Sequence, residues 1–457
     1  MAISETIDSA EKDATAAPTS PAPYSTKAPH PSSRARLYRL LWRWHFYAGL
    51  IAAPILLVAA VTGGIYVFIE ELQPWMYPSL FYSADARGPQ KSLDEMAAAV
   101  RSAHPDAQLL SATEPKQVGL NATFAVKLPS GTRTAFVDPS TGEVAGLFHE
   151  ADSFFAIVLG IHRRLLAGSV GRMLVELAAS WGLVLLLTGL YLWWPQRLGR
   201  PRLPTLGVWF PRVRGSWLLV LRDWHSVVGF YTLGTATFVL LTGLFFTQVF
   251  GNGYKRLSNF GGEQPAAFAV TPKSEAAAGR ARIPLIAAME SAEAHLPGYG
   301  PKRVQMPTGP QDTYRVMRAD WSNPTWKTTV FVDAYSSRVV HAHGWDDAPL
   351  AHQVRLSVYP IHVGNIFGMP TKILALLTCL AIVLLCITGV WMWWRKRPRR
   401  TWGLPPSNHE LLVPGWLIAA ICVLGVVLPA VGGSILLILA GEWLLARIAR
   451  RRRAAAA

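Results

Sequence analysis

Five stretches of the chain, 46–69, 173–194, 226–247, 373–394 and 415–445, are almost uninterrupted apolar runs separated by mixed polar segments. A helix rises 1.5 Å per residue, so about 20 apolar residues cross the roughly 30 Å hydrocarbon core of a bilayer. The pattern predicts four spanning helices over 42–70, 170–194, 223–248 and 370–394. The last run, 413–446, exceeds one crossing and is interrupted by Pro429 and Gly432-Gly433, which predicts a hairpin of two further spans. Between the spans, 71–155 and 249–350 change pattern. Residues 93–104 and 285–295 have helical periodicity, while 134–144 and 330–339 alternate around turns opened by Asp138 and Asp333. Each segment is expected to be a small α+β domain. Residues 1–33, rich in Ala, Pro, Ser and Thr, are expected to form a disordered tail. The expected fold class is an α-helical membrane protein with a pseudo-two-fold four-span core, a C-terminal hairpin and two extramembrane domains.

The core is duplicated. Trp44-His45, Gly49 and Thr62-Gly63 recur without a gap as Trp224-His225, Gly229 and Thr242-Gly243, offset by 180. Ile161-His162, Gly168, Thr188-Gly189 and Trp193-Trp194 recur as Ile361-His362, Gly368, Thr388-Gly389 and Trp393-Trp394, offset by 200. Each half therefore runs span, α+β domain, span.

Composition agrees: 51% of residues are hydrophobic and 16% charged, against about a quarter charged in soluble domains. The net charge of +16 is topological rather than a nucleic-acid footprint. Lys and Arg crowd 34–43, the loops 195–222 and 395–412, and the tail 447–457, which marks these as cytoplasmic and 71–155 and 249–350 as the opposite side. The amino terminus is then inside. Cys379, Cys386 and Cys422 all lie in apolar runs, so no disulfide framework exists, and no CxxCH attaches a c-type haem.

Histidine in a membrane span is a functional candidate by default. The topology puts His45 and His225 near the cytoplasmic face and His162 and His362 near the other, one pair at each side. Two facing neutral imidazoles suit axial ligation of haem iron, and one haem at each face makes a two-step electron path. The competing reading is a set of interfacial anchors beside Trp. Gly49, Gly229, Gly168 and Gly368 either admit a flat macrocycle or serve close helix packing. His162 precedes Trp194 by 32 residues, about 48 Å of continuous helix, so a break near Gly168 or Gly171 is required. His352 is a secondary candidate, matched in the first half by Asp152. His341 and His343 form an HxH on one strand face without a third ligand, and His104, His149, His295 and His409 read as structural. The Trp residues at 42, 44, 193, 194, 391, 393 and 394 read mainly as an interfacial belt.

No GxGxxG, P-loop or nucleophile elbow is present, so electrons would come from a cytoplasmic flavoprotein or a membrane quinol rather than directly from NAD(P)H.

The His-x-x-x-Gly … Thr-Gly spans, the Ile-His … Gly … Trp-Trp spans and the hairpin Val137-Asp-Pro-Ser-Thr-Gly-Glu-Val144 resemble the PepSY-associated transmembrane family over residues 36–400. That family includes bacterial inner-membrane ferrisiderophore reductases and other iron-regulated proteins. The resemblance implies two b-type haems per chain, held by His45, His225, His162 and His362, with electrons delivered to a periplasmic ferric siderophore, Fe(III) to Fe(II). The second hairpin departs from the pattern, with Ala334 and Ser337 where the first has Pro139 and Gly142. Other acceptors, such as copper or a periplasmic redox protein, fit the same scaffold. A haem-free transporter would need acidic residues within the spans, where only Glu442 stands out. A purely structural or regulatory protein would carry no cofactor.

Overall fold

The structure is a computed structural model that describes residues 33–457, apart from 87, 198–205, 259–267, 269, 276–279, 321, 399–400, 402–412 and 457. The tail 1–33 lies almost wholly outside the described residues, as does His409. Among the described residues four helices are long and apolar enough to span a bilayer, or five if one bent pair is counted as a single span.

Helix α1 (Ser33–Tyr66) runs unbroken through Pro54, followed by α2 (Ile69–Met76) and α3 (Pro78–Phe81). Helix α4 (Leu93–Ala103) starts in a capping box, with the Ser92 hydroxyl accepting from Glu95 N and the Glu95 carboxylate accepting from Ser92 N. The second span is split. A short α5 (Phe154–Arg164) carries His162, Leu165 and Leu166 turn left-handed at φ 49° and 55°, and α6 (Gly168–Arg197) completes the crossing. The expected break is therefore real and falls immediately before Gly168.

The third span is bent by 67° between α7 (Trp217–Tyr231) and α8 (Leu233–Leu244). Thr232 and Thr237 donate their hydroxyls to carbonyls four residues back, at 2.7 Å each, beside Gly234. Such back-bonding and small residues bend helices. Apolar periodicity does not reveal this kink, and α1 lacks it. Helix α9 (Phe250–Ser258) follows. Beyond α10 (Leu285–Glu293), the fourth span repeats the split of the second, as α11 (Leu350–His362) and α12 (Met369–Lys396). The terminal run forms α13 (Gly415–Val427) and α14 (Pro429–Ala456), separated at Leu428 and packed so closely that a Cβ at Gly432 would come within 2.5 Å of the Gly425 carbonyl oxygen. At 13 residues α13 is shorter than an ordinary crossing, so only α14 of this pair has the length of a span.

The extramembrane segments fold together. Strands β1 (Gln108–Thr113), β2 (Ala122–Leu128), β3 (Gly131–Val137), β4 (Val144–Phe148), β5 (Lys302–Gln305), β6 (Tyr314–Arg318), β7 (Thr329–Val332) and β8 (Val339–His343) form one sheet in the order β4-β3-β2-β1-β5-β6-β7-β8. Every neighbouring pair is antiparallel, and β1 joins β5 through Ser111↔Gln305, Ala112↔Val304 and Thr113↔Arg303. Where the sequence suggests two domains, the structure has one continuous sheet under α4 and α10. One apolar core runs through both halves, with Phe124, Val126, Met289, Val304 and Val330 fully enclosed. The Asp94 carboxylate of α4 accepts from Leu285 N and Ile286 N, so one half caps the helix of the other. The predicted hairpins are β3–β4 and β7–β8, while β1, β2, β5 and β6 escaped the pattern.

Both hairpin turns work alike despite their different residues. The Asp138 carboxylate accepts from Ser140 N at 2.8 Å within the turn and from Ala84 N at 2.6 Å in the incoming linker. The Asp333 carboxylate accepts from Tyr335 N and Ser336 N at 2.9 Å and from Glu275 N at 2.8 Å. Ser337 takes the left-handed position at φ 62° that Gly142 occupies at φ 77°. The second hairpin thus keeps the geometry that its sequence departs from.

Candidate functional site

The four duplicated histidines come together as two pairs. The rings of His45 and His225 are 6.4 Å apart, centre to centre, at 85°, and those of His162 and His362 are 6.1 Å apart at 49°. Each pair takes one ring from each half of the duplication. The pairs lie at opposite ends of the bundle: His45 and Thr62, which borders His162, are 17 residues apart on α1, about 26 Å of helix.

All four rings are held by one recurring device. His45 Nδ1 lies 2.9 Å from Thr188 Oγ1, and His225 Nδ1 lies 2.9 Å from Thr388 Oγ1. His362 Nδ1 lies 3.1 Å from Thr242 Oγ1 and 3.1 Å from the Val239 carbonyl. His162 Nδ1 lies 2.9 Å from the Ala59 carbonyl and 3.4 Å from Thr62 Oγ1. Each threonine hydroxyl points its own proton back along its helix: Thr62 to Val58, Thr188 to Val184, Thr242 to Phe238 and Thr388 to Leu384, at 2.6–2.8 Å. The hydroxyls and carbonyls can therefore only accept, so each imidazole carries its proton on Nδ1. The lone pair is left on Nε2, the arrangement of a metal-ligating histidine.

The glycine after each threonine makes room for the ring. A Cβ at Gly63 would come within 3.0 Å of His162 Cε1, at Gly189 within 3.2 Å of His45 Cε1, at Gly243 within 3.1 Å of His362 Cε1 and at Gly389 within 3.4 Å of His225 Cε1. The sequence signal was present as the four Thr-Gly pairs, which mark the duplication without revealing their task. Of the four glycines noted in the sequence, two take the helix-packing alternative and two make turns. Gly49 and Gly229 sit against Leu185 and Leu385 at helix contacts, and Gly168 and Gly368 take left-handed turns at φ 57° and 69°.

Metal–imidazole bonds of about 2 Å on each side, plus roughly 1 Å from each nitrogen to its ring centre, put two rings on one ion about 6 Å apart. Both observed separations fit a shared ion. Among the described residues no three His, Cys, Asp or Glu side chains converge to hold a metal.

His352 is away from both pairs. Phe268 packs between it and His343, at ring distances of 4.8 and 4.3 Å. His341 and His343 do share one face of β8, 5.6 Å apart, and both adjoin Phe331. His149 bonds Asp152 at 2.6 Å. Of the tryptophans, Trp42, Trp44, Trp194, Trp391 and Trp394 are exposed as a belt would be, whereas Trp193 is buried and stacked on Phe230 at 4.2 Å.

Reading charge by composition missed two buried acids. Glu176, fully buried on α6, accepts from Gln248, Val249 and Phe250 N at 2.8–3.1 Å and so caps α9. Asp223, fully buried on α7, pairs with Arg212 and Arg222, which takes two cations out of the basic loop. Glu442, the acid that stands out in the sequence, is exposed.

The family model described as the PepSY-associated TM region matches residues 42–396. The chain belongs to that family. The matched region contains all four paired histidines and their Thr-Gly partners, and ends before α13 and α14. No curated protein matches the chain. The family and the long apolar helices make this a membrane protein.

Proposed function

We propose that this membrane protein is a di-haem b reductase of the bacterial inner membrane, its amino terminus in the cytoplasm. It passes single electrons from a cytoplasmic flavoprotein or the quinol pool to a periplasmic acceptor, a ferric siderophore being the preferred one. Bound at the two sites, haem would supply reversible one-electron chemistry at each face of the bilayer.

What carries the reading is the pairing of four histidines with their protons confined to Nδ1, at separations that suit one iron between two rings. In this reading Nε2 of His45 and His225 holds the inner iron, and Nε2 of His162 and His362 the outer one. Thr188, Thr388, Thr242 and Thr62 fix ring orientation. The apolar helix walls exclude water from both sites, and the sheet at the outer end offers a surface for the acceptor. Because single electrons move without bond making at the protein, no acid–base pair is required there. The transporter reading loses support at Glu176, whose carboxylate is committed to three backbone amides.

The test is the visible spectrum of the purified protein, oxidised and dithionite-reduced, with haem counted by pyridine haemochrome. Two haem b per chain, each lost selectively with His45→Ala or His362→Ala, is the expected result. A colourless protein after haem-supplemented expression would overturn the reading.

A further inference from the structure

We infer that Arg163, with Arg164 and Arg172 beside it, forms a carboxylate-binding site for the propionate groups of a haem held between His162 and His362; this rests on the di-haem reading above. Arg163 follows His162 directly on α5. Its guanidinium stands over the Phe246 ring at 5.8 Å, and that ring lies 5.4 Å from the His362 ring. The guanidinium is therefore at the rim of the His162–His362 pair.

Two observations show that it awaits an anion. The Arg163 Nε is buried and has no hydrogen-bond partner among the described residues, although buried guanidinium donors are normally satisfied. The groups acting on Arg163 are the cations Arg172 and Arg164 and, opposing them, the Tyr66 phenol, which is neutral at pH 7; no carboxylate is among them. Among the described residues none of these three arginines makes an ion pair.

The other half of the duplication is the internal control. The offset of 200 matches Arg163, Arg164 and Arg172 to Val363, Gly364 and Lys372. Two of the three cations are gone, and Lys372 is neutralised by Glu71 at 2.7 Å and Glu70 at 3.2 Å. At these three duplicated positions, positive charge without an acidic partner therefore occurs only beside His162. A planar guanidinium fork matches a carboxylate in two hydrogen bonds. Haem b carries two carboxylates, and the histidines account only for its iron.

The experiment uses full-length, haem-loaded protein with Arg163→Gln and Arg163→Lys, His162→Ala serving to assign the midpoint of the outer haem. Each haem is titrated potentiometrically, and haem release to excess apomyoglobin is timed. R163Q should lower the midpoint of the His162–His362 haem and speed its release about tenfold, the loss of a charge-assisted bond. R163K should fall between, and the His45–His225 haem should be unchanged. With the dimethyl ester of haem, whose propionates are neutral, wild type and R163Q should release alike. Identical midpoints and release rates in wild type and R163Q would overturn the inference. So would an R163Q effect that persists undiminished with the ester, which would give the arginines to a lipid phosphate or another anion. Wild-type protein that binds no haem would sink the di-haem reading itself, and this inference with it.

Discussion

His45 Nδ1 lies 2.9 Å from the Thr188 hydroxyl, and that hydroxyl already gives its proton to the Val184 carbonyl at 2.8 Å. The hydrogen bond can run only from the imidazole, which fixes both tautomer and ring plane. Partners of this kind typically contribute 10–100-fold to metal affinity. Thr188→Val keeps the shape and removes the acceptor, so haem at the His45–His225 pair should bind about tenfold more weakly, while Thr188→Ser stays near wild type. Haem occupancy after dialysis against apomyoglobin measures this. Equal occupancy in T188V and wild type would reduce the threonine to packing.

The glycine after each threonine gives a steric test. Gly243→Ala puts a methyl 3.1 Å from His362 Cε1, too close unless the ring shifts. The expected result is a perturbed or partly empty outer site, seen as a changed low-spin signal and lower haem content. Gly441→Ala, where nothing lies within 4 Å, should leave the spectrum unchanged. A normal G243A spectrum would show that the ring has room to spare.

Much of this candidate site is legible in the sequence, and the limits of that reading are physical. Apolar run length located the spans because the bilayer imposes it, and duplication singled out His45, His162, His225 and His362. The Thr-Gly pairs remained without a task, since Thr188 lies 143 residues from His45 and Thr388 lies 163 from His225. Local periodicity carries no information about such contacts. The joining of β1 to β5 was hidden for the same reason, because strand edges do not name their partners. The kink at Thr232 depends on hydroxyl back-bonds that leave hydropathy unchanged. Glu176 escaped notice because the amides it caps, at the start of α9, lie more than 70 residues further along the chain.

Asp138 links the β3–β4 turn to the linker from the first span, and this predicts a pH dependence. Burial alone would raise its carboxyl, but hydrogen bonds from Ala84 N, Ser83 Oγ and Ser140 outweigh that and hold it down to about 2. A carboxyl whose folded value is depressed stabilises the fold above its unfolded value of about 3.9, and that contribution is lost as pH falls toward 2. The shift corresponds to about 2 kcal/mol. Asp138→Asn should therefore unfold at a lower temperature than wild type at pH 7, with the gap closing between pH 4 and pH 2. A gap that stays constant over this range would mean that the carboxylate charge contributes nothing.

Glu176 separates a structural acid from a transport acid. Its two oxygens accept from three consecutive amides at the start of α9, Gln248, Val249 and Phe250, at 2.8–3.1 Å. Glu176→Leu leaves those donors buried without an acceptor, at about 1–3 kcal/mol for each one that stays unsatisfied. Glu176→Gln keeps one acceptor oxygen in place, and its cost should be a fraction of that. Thermal unfolding in detergent should then rank wild type, E176Q and E176L in falling order, with haem content and reduction rate unchanged in E176Q. An acid that relays protons would give the opposite pattern: E176Q as stable as wild type but inactive. That outcome would return the transporter reading to first place.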